Sequence, residues 1–193
     1  MPRDGSELFQ NGGVPLNRTL LDFWRWSSSD LVGNTLRGIL AEYIVACALG
    51  ITDTRRVEWD AFDLKMPNGT TLEIKSAAYL QSWQQKAPSQ IKFGIAPTRA
   101  WDEAASKHTD ERKRQANLYV FCLLHHQDKA TVEPLDMSQW MFYLLASATL
   151  DAKMPMQKSI TLASLLKMNP AQCAYQQLAE AITERNWQDD TDT

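Results

Sequence analysis

The stretch that most constrains this chain runs from Asp60 to Ser76, two short alternating runs joined by Pro67-Asn68-Gly69. Such runs around a Pro-Asn-Gly turn predict a β-hairpin. Proline suits the first position of a type I turn, asparagine the second, and glycine the left-handed position that closes a three-residue loop. With that loop, Met66 is expected opposite Thr70 and Asp63 opposite Glu73. Side chains alternate along a strand, so Lys75 shares a face with Glu73, while Asp60 falls opposite Ser76 on the other face. Two carboxylates and an ammonium on one face of a hairpin make a candidate cation site with a lysine beside it. A loop one residue longer would exchange the faces and put Asp60 in the place of Asp63. The turn chemistry favours Asp63.

The helix upstream adds a third carboxylate. Asn34 is a suitable N-cap and Gly50 a suitable stop for a helix reaching Leu49. Leu36, Ile39, Leu40, Tyr43, Ile44 and Cys47 form one apolar stripe, and Ala41, Val45 and Leu49 make the opposite side apolar too. A helix apolar nearly all round is expected to be buried. Glu42 in its middle therefore needs a partner, either Arg37 or a lysine elsewhere, or a metal ion.

Downstream, Ile91–Ile95 alternates as a third strand ended by Pro97, and the Gln-rich 79–89 segment reads as a connector. Thr98 caps a polar segment, 99–116, in which Lys107, Arg112, Lys113 and Arg114 lie among Asp102, Glu103, Asp110 and Glu111. Interleaved charges predict a solvated helix or loop. The same basic residues are the candidate contacts to nucleic-acid phosphates. Leu118–Leu124 is a continuous apolar run, expected as a strand buried on both faces. His125 and His126 at its end point to opposite sides and make no metal pair. Residues 139–146 form a further strand and 162–168 a short helix. Asn169 caps a last helix, with Pro170 in its first turn. The acidic tail from Gln188 is expected to fray.

At the other end, residues 1–18 read as a loose polar arm, followed by a short helix over 20–26 in which Trp24 and Trp26 serve as packing residues. The chain has 193 residues, 44% of them hydrophobic, which suits one domain with a sizeable core. A net charge of −3 argues against a generally basic nucleic-acid coat but leaves room for a local basic edge. Cys47, Cys122 and Cys173 lie in apolar surroundings with no CxxC pair, as in a reduced, cytoplasmic protein. No leader-like or membrane-spanning apolar run is present.

Asp63, nine intervening residues and Glu73-Ile74-Lys75, in a helix–strand–strand–strand–helix–strand order, resemble the Asp…(Asp/Glu)-x-Lys signature of the PD-(D/E)XK nuclease superfamily. The resemblance covers about 34–124, with 125–187 as a C-terminal elaboration of a single domain. No proline precedes Asp63 or Asp60, a departure from the short form of the motif. The resemblance implies an α/β (α+β) restriction-endonuclease-like core: a mixed central sheet flanked by helices, order αβββαβ, with an extra C-terminal strand and helices. It also implies a catalytic set of Asp63, Glu73 and Lys75. Its metal set would be Asp63, Glu73, the Ile74 carbonyl and Glu42, holding Mg²⁺ with Mn²⁺ able to substitute. Such an ion activates a water for attack on a phosphodiester, and Lys75 orients that water, takes its proton or stabilises the growing charge. Asp60, Ser76 and Gln81 are expected to support the site by hydrogen bonding. The expected activity is endonucleolytic cleavage of DNA, with a homodimer suited to cutting both strands. The alternative is a nuclease fold kept as a nucleic-acid-binding or protein-interaction module without catalysis.

Overall fold

The computed structural model describes residues 2–53, 56, 60–99, 101–102, 107–108, 112–185 and 187. In chain order the elements are β1 (Leu8–Asn11), β2 (Val14–Thr19), α1 (Leu20–Ser27), α2 (Asn34–Leu49), β3 (Leu64–Lys65), β4 (Thr71–Ala78), β5 (Lys92–Gly94), β6 (Trp101–Asp102), β7 (Lys107–His108) and β8 (Leu118–Leu124). There follow β9 (Trp140–Ala146), α3 (Ser147–Lys153), β10 (Ser159–Thr161), α4 (Leu162–Leu166), β11 (Ala171–Cys173) and α5 (Tyr175–Thr183).

A five-stranded mixed sheet, in the order β11-β9-β8-β4-β3, forms the centre. Every residue of β8 is buried, as its unbroken apolar run requires. It pairs in parallel with β4 from Leu72↔Leu118 to Ala78↔Leu124, and antiparallel with β9. The alternation of side chains divides the core in two. On one face Leu72, Ile74, Val120, Cys122, Phe142 and Leu144 pack with Ala41, Ile44 and Val45 of α2 and with Leu178 and Ile182 of α5. On the other face Ala77, Tyr119, Phe121, Leu123 and Leu145 meet Phe93 of β5, Leu150 of α3, Ile160 of β10 and Leu165 of α4. The expected mixed sheet flanked by helices is therefore present.

Several elements differ from the sequence expectations, each for an identifiable reason. The third strand leaves the central sheet and pairs antiparallel with β10, so it covers the sheet face. The described residues of the 99–116 segment include no helix; they contain the β6–β7 ladder and a bridge between Thr98 and Lys113. Helix α2 starts after Gly33 with no side-chain cap, because the Asn34 amide oxygen accepts from Arg37 instead. It is buried on one side only, and Ile39 and Tyr43 are exposed. Asn169 adopts a left-handed φ of 53°, donates its N–H to Leu166 O, and leads into β11 rather than into the last helix. The strand expected over 57–66 is seen as Leu64–Lys65, and residues 57–59 and 188–193 lie outside the described residues.

The arm at the start is ordered. Asn11-Gly12-Gly13-Val14 makes a tight hairpin turn with φ of 58° and 85° at the two glycines, the conformation of a two-residue primed turn. Thr19 and Asp22 form a capping box that starts α1.

Phe142 is fully buried between Trp140 and Tyr175, joining the sheet to α5. Phe142→Ala is expected to cost about 3–5 kcal/mol in a urea unfolding curve. A cost near that of a surface substitution would contradict this account of the core.

Candidate functional site

The hairpin carries the site, and its turn forms as its residues dictate. Met66 N donates to Thr70 O at 2.8 Å, Gly69 N donates to Met66 O at 2.9 Å, and Gly69 takes the left-handed φ of 91°. The register is Leu64↔Leu72 and Lys65↔Thr71, which points the next step at Asp63 and Glu73.

The ladder stops before that step. Asp63 N donates to Leu72 O at 3.0 Å, and the Asp63 carboxylate accepts from Ile74 N at 2.6 Å. A carboxylate thus fills the position that a backbone carbonyl of a longer β3 would hold, satisfying an N–H that would otherwise be orphaned. Residues two apart on a strand direct their backbone groups to the same edge. The Ile74 carbonyl therefore lies along the same edge as the N–H that Asp63 accepts from.

Glu73 and Lys75 stand on the sheet face shared with Tyr119 and Phe121, their partners across the parallel pair. Lys75 Nζ lies 2.5 Å from Glu73 Oε1, with both side chains half-buried. Burial pushes the Glu73 carboxyl above its ordinary range; Lys75 opposes that, and Asp63 and Glu42 add to it. The Tyr119 hydroxyl is also pushed up by burial, with Glu73 contributing. Tyr119 was not legible as a neighbour because only the parallel register brings it to Glu73.

Glu42 is paired with Arg56, whose Nε and Nη2 donate to the two carboxylate oxygens, the second at 3.1 Å. Among the described residues neither Arg37 nor a lysine is paired with it. Among the described residues no three acidic, histidine or cysteine side chains converge closely enough to hold a metal ion by themselves. Glu42 and Asp63 do line one cavity of about 730 Å³, together with the exposed Asp60, Arg56 and Tyr43 and the half-buried Phe62.

The remaining expected residues fall elsewhere. Ser76 faces α2, and its Oγ accepts from Arg37 Nε at 3.2 Å. The Arg37 guanidinium is buried, donates also to Val32 O and Asn34 Oδ1, and is held below its usual range by burial. Gln81 is buried beyond β4 and braces the connector through Ala78 O and Ser89 Oγ. Arg112 and Lys113 are exposed, whereas the Lys107 side chain lies outside what the structure describes.

Arg114 corrects the expectation of a phosphate contact. Its side chain is fully buried and bonds Ile95 O at 3.0 Å, Asp151 Oδ1 at 2.5 Å and Met154 O at 2.8 Å. A guanidinium that joins β5 to α3 in this way presents nothing to a ligand.

The family described as bacteriophage T4 endonuclease IV matches over residues 18–164, and the chain belongs to that family. It is accordingly a nuclease, with nucleic acid as its substrate. Neither a curated protein nor a solved structure matches the chain. No helix among the described residues is long and apolar enough to cross a membrane.

Arg114→Met is expected to lower unfolding stability by roughly 2–3 kcal/mol, because buried acceptors lose a charged donor. Arg112→Ala and Lys113→Ala are expected to change it by less than about 0.5 kcal/mol. Equal effects from all three in a denaturant titration would contradict the structural role of Arg114.

Proposed function

We propose that the chain is a divalent-metal-dependent DNA endonuclease of the PD-(D/E)XK type, working at the edge of β4. The observation that carries this reading is the placement of Asp63, the Ile74 carbonyl, Glu73 and Lys75 around one strand edge in a member of an endonuclease family. The donor set fits a hard cation. Mg²⁺ takes oxygen ligands, keeps several waters and needs only one or two carboxylates from protein. Glu73 is half-buried, and Asp63 and Glu42 both raise the cost of its charge, a cost that a bound cation relieves.

Asp63, Glu73 and the Ile74 carbonyl are the residues that would hold Mg²⁺ or Mn²⁺. When bound, such an ion would supply a water of lowered pKa and offset negative charge on the scissile phosphate. Lys75 is already anchored by Glu73, so its ammonium is held beside the reacting group without the entropy of ordering a free lysine. There it stabilises charge that grows on the phosphate oxygens during attack. Asp63 keeps its orientation through the Ile74 N–H. Glu42 reaches the site only by exchanging Arg56, so it is assigned to the support of the centre and not to its first ligands. Exposed Arg112 and Lys113 are available to phosphates.

Asp63→Asn, Glu73→Gln and Lys75→Ala are each expected to slow Mg²⁺-dependent cutting of DNA by about a hundredfold or more. Their unfolding midpoints should stay near that of the parent, since none of the three is a core side chain. Cutting at parental rates by any of the three, or cutting undiminished in chelator, would overturn the assignment. Binding of DNA with no cutting by the parent would favour the non-catalytic binding module.

A further inference from the structure

The first segment of the chain is folded but buries almost nothing. Between residues 5 and 27, Gly5 alone is buried, and no residue before Leu40 belongs to or packs against either core cluster. Exposed on this arm are Leu8, Phe9, Val14, Leu16, Leu21, Phe23, Trp24 and Trp26, the last at 84%. The expectation that Trp26 packs within this chain is thus not met, whereas Trp24 packs on the arm's own Gly5 and on neither core. On α1 these side chains, with Leu20, fill one arc of the helix, and Phe23 meets Trp26 at 6.5 Å between ring centroids. Gly5 lies against Trp24 and Leu21, so the arm is closed on itself there, while Leu8, Phe9, Val14, Leu16, Phe23 and Trp26 stay exposed.

An isolated two-stranded hairpin is marginal in water, and a unit of this size cannot build a core alone. Exposed apolar side chains in this number on one short segment mark an interaction surface. We infer that residues 5–27 are the interface through which this protein pairs with a second copy of itself.

Four observations favour that occupant. The arm spans about the 20–30 residues a side that a stable interface uses, and its Trp, Phe and Leu content matches an interface core. Its charges cancel, with Glu7 and Asp22 against Arg18 and Arg25, so it offers no phosphate-binding surface. Interfacial membrane helices carry several basic residues on the polar face, whereas α1 carries Arg25 alone. The chain's own acidic tail, 188–193, has no apolar residue with which to cover the patch. Closed twofold pairs are the commonest assemblies of a single chain, and an apolar arm with no net charge suits one.

Sedimentation equilibrium of the full chain tests this. The parent is expected at twice the 21.9 kDa chain mass. Trp26→Ser and the pair Val14→Ser with Leu16→Ser should each raise the dimer dissociation constant by about 30-fold or more. Thermal unfolding of the core, followed by circular dichroism on monomeric samples, should be unchanged, because these side chains lie outside both cores. Met156→Ser, exposed elsewhere, should leave the dimer intact. A monomeric parent overturns the inference, including one that binds phospholipid vesicles instead. So does a dimer that survives both arm substitutions.

Discussion

The parallel pairing of β4 with β8 is the constraint on which the rest of the molecule depends. It runs the whole length of β4 and covers one edge of that strand, while β8, paired on both sides, is buried throughout. Among the described residues β3 is the one strand on the other edge of β4, and it ends before Glu73 is reached. The strand is therefore held by β8 where it carries Glu73 and Lys75, and among the described residues its other edge has no strand partner at Ile74, whose N–H donates to the Asp63 carboxylate. Rigid support beside an open edge is what a site needs when its charged groups must stay aligned without being sealed from substrate.

Asp63 joins these two properties. Its carboxylate takes over a ladder position from the missing strand, so the element that ends the sheet also supplies the acid. Around it the charges are arranged in pairs: Glu73 with Lys75 and Glu42 with Arg56. Burial of Glu73 near two other acids leaves a local demand for positive charge that Lys75 alone meets only in part. That electrostatic imbalance, at an edge carrying backbone oxygen, links the fold to the nuclease family of the chain.

Much of this was legible because it is local. Pro67-Asn68-Gly69 dictates loop length and hence register, and the apolar run of Leu118–Leu124 dictates a buried strand. What escaped depends on distant partners. The pairing of β5 with β10 joins segments far apart in sequence, and each is too short to announce it. Arg114 sits among similar basic residues, and nothing in local charge pattern tells which one is turned inward toward Asp151. The Glu42–Arg56 pair is of the same kind. The Asn11-Gly12-Gly13 turn was readable as a hairpin signal, but the polar composition around it suggested a loose arm.

The central claim is that the β4 edge is a divalent-cation site built on Glu73. Calorimetric titration of Mn²⁺ into the parent protein and into Glu73→Gln tests it most directly. The account predicts saturable binding by the parent and at least about tenfold weaker binding by the variant, a loss of about 1.4 kcal/mol. Equal affinity in the two proteins, or no binding by a parent that still cuts DNA, would contradict it.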